Sequence, residues 1–90
     1  MKKRIRYNFT GSVQGVGFRY SASNAARALG LTGWVCNEFN GSVTMEVQGE
    51  DEAIRALIVT IEKSPYISID NVGANELPLD PEEKSFRIRI

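Results

Sequence analysis

Histidine is absent from this 90-residue sequence, and cysteine occurs once, at Cys36. Without histidine, the chain has neither the commonest general base nor the commonest zinc ligand of proteins. This absence disfavours serine and cysteine hydrolases, whose nucleophile is activated by a neighbouring base. A single cysteine cannot form a disulfide within the chain, so we expect a protein of the reducing cytoplasm.

Long hydrophobic runs and a surplus of either charge are also missing. The basic opening, Met1 to Tyr7, is followed by no apolar stretch, and no segment reaches the length of a transmembrane helix. Eleven basic residues balance eleven acidic ones. Nonspecific binding to nucleic acid or to an anionic membrane usually needs a basic surplus, so we expect neither as a partner.

The residues that are present suffice for one hydrophobic core. Hydrophobic residues make up 42% of the chain, and we expect residues 1–90 to fold as a single domain without a disulfide or a metal. Apolar periodicity predicts two helices, Phe18 to Leu29 and a second one from Glu50 or Asp51 to Ser64. Alternation predicts five strands, at Arg4 to Thr10, Thr32 to Asn37, Ser42 to Gln48, Tyr66 to Val72 with a continuation to Glu76, and Ser85 to Ile90.

The order of these elements is βαββαβ with an extra C-terminal strand. This order predicts an α+β fold, a ferredoxin-like sandwich in which both helices lie on one face of an antiparallel sheet. Right-handed crossover connections make such a sandwich compact.

A glycine-rich motif, GSVQGVGFR, lies between the first strand and the first helix, from Gly11 to Arg19. Gly15 and Gly17 lack a Cβ atom, so the backbone can turn sharply there and direct several N–H groups at one anion. The helix that follows begins with unpaired N–H groups and the positive end of its dipole. Arg19, in its first turn, adds a charged fork of donors. The segment therefore predicts a phosphate cradle, although a glycine pair alone is more often only a turn.

A second motif, TGWVCNEFNGSV, spans Thr32 to Val43. Asn40 and Gly41 form the strongest hairpin signal of the chain. Asn37 ends the strand before this turn, where an asparagine by itself is usually only part of the turn.

Taken together, the two motifs resemble those of the acylphosphatase family, with a G-x-V-Q-G-V-x-F-R cradle and a G-W-V-x-N segment followed by G-x-V. The resemblance covers essentially the whole chain. It implies hydrolysis of acyl phosphates to a carboxylate and inorganic phosphate. It also implies that Arg19 binds the phosphoryl group and that Asn37 positions the attacking water. The backbone amides of the loop complete the cradle, and they belong to Gln14, Gly15, Val16, Gly17 and Phe18.

The chemistry of these residue types is compatible with that reaction. A carboxylate leaves readily, so cleavage of the anhydride needs little help from a general acid, and the lack of histidine does no harm. The Asn37 carbonyl can accept a hydrogen bond from water, whose proton we expect to pass to a phosphate oxygen of the substrate. We expect no metal and no cofactor, because the cradle and Arg19 already neutralise the phosphoryl charge. A monomer acting on a small-molecule acyl phosphate is the simplest expectation.

Other functions are compatible with parts of the sequence. RNA-binding modules of the RRM type share the βαββαβ order, but their aromatic motif lies on a central strand, whereas GVGFRY precedes a helix. A domain that binds an anion without turning it over would not need Asn37. A module at the start of a larger carbamoyl-transfer maturation protein is a third alternative, although the length of the chain favours a free-standing protein.

Cys36 departs from the family pattern, in which its position is often basic or polar. Strand alternation directs its side chain to the face opposite Asn37, so we expect Cys36 to have no catalytic part. Because Cys36 replaces a residue that is often basic or polar near the entrance of the site, the sequence does not indicate which acyl phosphate is preferred.

Overall fold

The computed structural model describes residues 1–90, which form seven elements. The five strands are β1 (Lys2–Ser12), β2 (Thr32–Asn37), β3 (Val43–Glu50), β4 (Ser68–Leu77) and β5 (Phe86–Arg89). The two helices are α1 (Phe18–Ala28), between β1 and β2, and α2 (Asp51–Glu62), between β3 and β4. The predicted order is therefore confirmed. Neither helix is long and apolar enough to span a membrane.

All five strands form one sheet in the order β4-β1-β3-β2-β5. The ferredoxin-like α+β fold is confirmed, but the sheet is mixed rather than wholly antiparallel, because β5 runs parallel to β2. The other three pairings are antiparallel. The reason is the long connection after β4. It crosses the sheet from one edge to the other, so that β5 enters beside β2 in the same direction.

The core lies between the sheet and the two helices. Phe9 and Met45 from the sheet, Ala22 and Ala26 from α1 and Leu57 from α2 are all fully buried. Small side chains on α1 let its backbone approach the sheet closely. The ring of Phe9 also packs 5.0 Å from that of Phe18 at the start of α1. This contact fixes the beginning of α1, and with it the loop that leads into the helix.

The opposite face of the sheet is partly covered by residues 78–85, here called the strap. Gln48 holds the strap through two hydrogen bonds with the backbone of Asp80, at 2.7 and 2.9 Å. Arg4 is only 6% exposed beneath it and forms ion pairs with Glu83 at 2.7 Å and Glu46 at 2.9 Å. The hydrogen bond with Glu83 raises the pKa of Arg4, although burial opposes it. Pairing of this kind is what allows a charged residue to be buried.

Candidate active site

The cradle, residues 14–18, connects β1 to α1 through two glycines in the left-handed region. Gly15 has φ 72° and Gly17 has φ 81°. Gly17 is the N-cap of α1, no side chain caps the first amides, and the first turn carries no acidic residue. By contrast, the first turn of α2 carries Asp51 and Glu52. The N-terminal amides of α1 are therefore left free for an external anion, which the helix dipole favours.

A cavity of about 150 Å³ opens at the cradle and is called the cradle cavity. Its lining is formed by the loop after β1, the start of α1 and the end of β2, with the residues Val13, Gly15, Gly17, Phe18, Arg19, Tyr20 and Asn37. Five of the predicted site residues thus meet in one place, namely Gly15, Gly17, Phe18, Arg19 and Asn37. The volume is several times the ~30 Å³ that a water molecule occupies in the liquid, so a phosphoryl group and a water fit together.

Gln14 and Val16, also predicted for the site, do not line the cavity. The side-chain nitrogen of Gln14 donates to the backbone oxygens of Glu38 at 2.6 Å and Ser42 at 2.9 Å. Val16 packs against the core. Only the backbone amides of these two residues are therefore candidates for contact with a phosphate. The clamp made by the Gln14 side chain could not be foreseen, because its two acceptors are backbone atoms more than 20 positions along the chain.

Arg19 and Asn37 both have uncommitted polar groups. Each is partly buried, and Arg19 takes part in none of the six ion pairs of the structure. Arg4 and Arg6, in comparison, are held by glutamates on the other face of the sheet. A guanidinium and a side-chain amide that face one cavity without a protein partner are positioned to bind a ligand.

A polar network supports the hairpin that follows Asn37. The carboxylate of Glu38 accepts a hydrogen bond from the Thr44 hydroxyl at 2.5 Å. The side-chain nitrogen of Asn8 donates to Thr44 and to Ser42, both at 3.1 Å. Ser42 in turn donates to the side-chain oxygen of Asn40 at 2.6 Å. These contacts restrain the residues that follow Asn37 in the hairpin.

Cys36 does not line the cradle cavity. Burial raises the pKa of its thiol, and the nearby carboxylate of Glu38 raises it further, while Arg89, Arg6 and Arg19 act in the opposite direction. The thiol is therefore protonated near neutral pH, which makes it a poor nucleophile.

Fold and cavity together define a small α+β protein with an anion site large enough for a phosphoryl group. The chain superimposes on the crystal structure of acylphosphatase from Bacillus subtilis with a TM-score of 0.89, at 28% identity and with 100% of both chains covered. The acylphosphatase family model matches residues 5–88. Acylphosphatase from Oceanobacillus iheyensis is 39% identical over 89 residues, which cover 97% of this chain and 98% of the relative.

The chain belongs to the acylphosphatase family, and it is an enzyme that hydrolyses acyl phosphates. This assignment decides against an RNA-binding module and against a domain that only binds an anion. The same fold also occurs within a longer protein. The crystal structure of full-length HypF matches 99% of this chain with a TM-score of 0.83 and 32% identity, over 12% of the HypF chain.

Proposed function

We propose that Arg19 and the backbone amides of residues 14–18 hold the phosphoryl group of an acyl phosphate, while Asn37 positions the attacking water. The observation that carries this proposal is the cradle cavity, which brings Gly15, Gly17, Arg19 and Asn37 to one place although Asn37 comes from a different strand. Arg19 and Asn37 also have no competing partner in the protein.

Phosphoryl transfer depends on positioning and on stabilising the charge of the three equatorial oxygens. Left-handed turns such as those at Gly15 and Gly17 can direct several backbone N–H groups at one anion, and the start of α1 adds its dipole. The Arg19 guanidinium can bind two of these oxygens at once, because its planar fork matches their spacing. The amides belong to a folded backbone turn, so little reorganisation of these donors is needed during the reaction.

Asn37 acts on the water rather than on the phosphate. Its side-chain oxygen accepts a hydrogen bond from the water and orients the water oxygen toward phosphorus. As the new P–O bond forms, the bond between phosphorus and the acyl oxygen breaks, and the electron pair leaves with the carboxylate. Both hydrogens of the water remain on the inorganic phosphate, one of them transferred to a phosphoryl oxygen of the substrate. An amide is not a base at neutral pH, so this route needs no histidine.

We further propose that the chain acts as a single-domain cytoplasmic monomer without a metal or a cofactor. The one cysteine and the absence of histidine support a reducing compartment and metal-independent chemistry. The apolar part of the cavity wall, formed by Val13, Phe18 and Tyr20, suits contact with an apolar acyl group.

Hydrolysis of benzoyl phosphate in EDTA tests the assignment of roles. Wild type is compared with Arg19→Ala, Asn37→Ala and the control Arg55→Ala, whose side chain is exposed on α2 and paired with Asp51. We expect rapid turnover by wild type and the control and a strong loss in the other two. Inorganic phosphate should still inhibit Asn37→Ala competitively by binding the cradle, as measured with its residual activity. Retained turnover with lost phosphate inhibition in Asn37→Ala would show that the two roles are misassigned.

A further inference from the structure

A second and larger cavity, the open-face cleft, lies on the side of the sheet away from the helices. It measures about 630 Å³ and lies between the strap and the strands β1, β3, β2 and β5. It shares no lining residue with the cradle cavity. Only one of its 11 lining residues, Trp34, is hydrophobic. The cleft is therefore a polar site that is separate from the proposed acyl phosphate site.

The deepest charges of the cleft neutralise one another. Arg4 is paired with Glu83 and Glu46, and Arg6 donates to the second oxygen of Glu46 at 2.6 Å. Two arginines thus share two glutamates, and all four groups are committed to the protein. A ligand in the cleft would gain little from them, because an existing pair would have to be broken first.

Two further arginines of the cleft, Arg87 and Arg89, have no carboxylate partner among the ion pairs. They lie two positions apart on β5, so their side chains leave the same face of the sheet about 6.6 Å apart along the strand. In the parallel pairing, Arg87 is opposite Trp34 and Arg89 is opposite Cys36. The Arg89 guanidinium lies over the Trp34 ring, 4.5 Å from its centre. This cation–π contact restrains the Arg89 guanidinium, while the N–H groups along the edge of the guanidinium remain available for hydrogen bonds.

We propose that the open-face cleft binds a small ligand with two adjacent phosphate groups, held between Arg87 and Arg89 above Trp34. Guanidinium forks bind phosphate oxygens two at a time, and two forks at this spacing can bracket neighbouring phosphates better than one. A free polyphosphate and a nucleoside triphosphate share this chemistry. The cleft has about four times the volume of the cradle cavity, and that room suits a ligand longer than one phosphoryl group.

The strap contributes negative charges to the cleft, opposite in sign to Arg87 and Arg89. Asp80 and Glu82 both line it. One carboxylate oxygen of Asp80 accepts the backbone N–H of Glu82 at 3.0 Å, which engages it in the turn of the strap. The Glu82 side chain is exposed and has no partner among the ion pairs. The negative charge of Glu82 weakens the binding of a polyanion. Removal of this charge should therefore tighten binding, whereas removal of either arginine should weaken it.

Fluorescence of Trp34, the only tryptophan of the chain, measures binding at low ionic strength, and calorimetry provides an independent readout. The titrants are inorganic tripolyphosphate, ATP and adenosine. We expect tripolyphosphate and ATP to bind and adenosine not to bind. Arg87→Ala and Arg89→Ala should each weaken binding about tenfold or more, since each removes a charged hydrogen-bonding group. Glu82→Gln should tighten binding about two- to fivefold.

Two controls separate this site from the cradle. Arg19→Ala should give the same Trp34 fluorescence titration with tripolyphosphate as wild type does, and Arg87→Ala should hydrolyse benzoyl phosphate as wild type does. Arg55→Ala removes an exposed charge elsewhere and should change neither property. Loss of binding in Arg19→Ala together with full binding in Arg87→Ala would place the ligand in the cradle and overturn the proposal. Absence of binding by both readouts in folded wild type would also overturn it, without touching the proposed hydrolysis.

Discussion

The side-chain nitrogen of Gln14 lies 2.6 Å from the backbone oxygen of Glu38, the residue that follows Asn37. This hydrogen bond joins the cradle to the β2–β3 hairpin. The sheet alone does not join them directly, because β3 lies between β1 and β2. Gln14 therefore restrains the distance between the groups that we propose to hold the phosphate and the residue that we propose to position the water. We regard it as a positioning residue, since its side chain does not line the cradle cavity.

Replacement of Gln14 by leucine should lower kcat about ten- to a hundredfold, the range expected when reacting groups move by about 1 Å. It also removes two hydrogen bonds to backbone carbonyls, each of which contributes about 0.5–1.5 kcal/mol to the free energy of unfolding. Gln48→Leu is the matched control, because it also removes two hydrogen bonds to backbone, those at Asp80. We expect a similar loss of stability with normal kcat. An equal drop in kcat for both variants would reduce Gln14 to a structural role.

Gly15→Ala should abolish most activity while the protein stays folded. A Cβ atom at Gly15 would meet nothing within 4 Å, so the cost comes from its φ of 72°, about 1–2 kcal/mol for a side chain in that region. Relief of this strain would turn the amides of the cradle away from the phosphate. Gly30→Ala, at the same φ of 72° and also in open space, is the control. Chemical denaturation should show similar losses for both variants, and only Gly15→Ala should lose phosphate inhibition and turnover.

Arg19→Ala should lose about 10³–10⁵-fold in kcat, the range seen for arginines that stabilise phosphoryl transfer. Arg19→Lys should recover only part of this loss, because an ammonium group cannot bind two oxygens in one plane. Arg27→Lys serves as a control on the same helix, since Arg27 contacts the backbone oxygen of Phe86 and not the cavity. Steady-state kinetics with benzoyl phosphate distinguish the variants. Full activity of Arg19→Lys would mean that only charge matters there.

Cys36→Ser should retain nearly normal turnover, because the thiol lies outside the cradle cavity. Since burial and Glu38 raise the pKa of Cys36, less of the thiol is ionised in the folded protein than in unfolded chains at the same pH. Alkylation by iodoacetamide at pH 8 should therefore be slower in native than in urea-unfolded protein, and it should accelerate as pH rises. Glu38→Gln should lower the pKa of Cys36 and speed alkylation of the folded chain. Faster alkylation of the native wild type would contradict this assignment.

The stability of the protein should fall as the solution becomes alkaline, partly through Tyr7. Burial is the main cause that raises the pKa of Tyr7 above the ordinary tyrosine value of 10.0. The folded state then keeps the phenolic proton at a pH where the unfolded chain releases it. The contribution is fully present below pH 10 and is lost as pH rises beyond it. Urea unfolding between pH 7 and 11 should show a smaller decline for Tyr7→Phe than for wild type. Tyr66→Phe, at a site 75% exposed, controls for the loss of a hydroxyl.

The parts of the molecule that sequence predicted well depend on local interactions. The bounds of β2 agree at both ends, and those of α1 differ by one residue. The cradle is one contiguous segment, so its glycines and the helix that begins after it could be identified from the order of residues in the sequence. The roles proposed for Arg19 and Asn37 came from the family motifs, which local patterns do not supply.

The parts that sequence did not predict depend on contacts between distant residues. Arg4 alternates with apolar residues of β1, a pattern that predicts exposure, yet it is buried because Glu83, 79 positions away, pairs with it. The parallel entry of β5 depends on the route of the strap, which carries no periodic signal. The arrangement of Arg6 and Arg89 about Trp34 joins three strands, so no single segment indicates it.

The strand order β4-β1-β3-β2-β5 also governs when the protein becomes able to bind its substrate. Only β2 and β3 are both consecutive in the chain and paired in the sheet, so most of the sheet requires the closure of long loops, which slows folding. The cradle follows β1 and Asn37 ends β2, and β3 must pair with both before these groups meet. The proposed site therefore forms only once these three central strands have paired. A phosphate bound at the proposed site would therefore stabilise these three strands together against unfolding, rather than one segment alone.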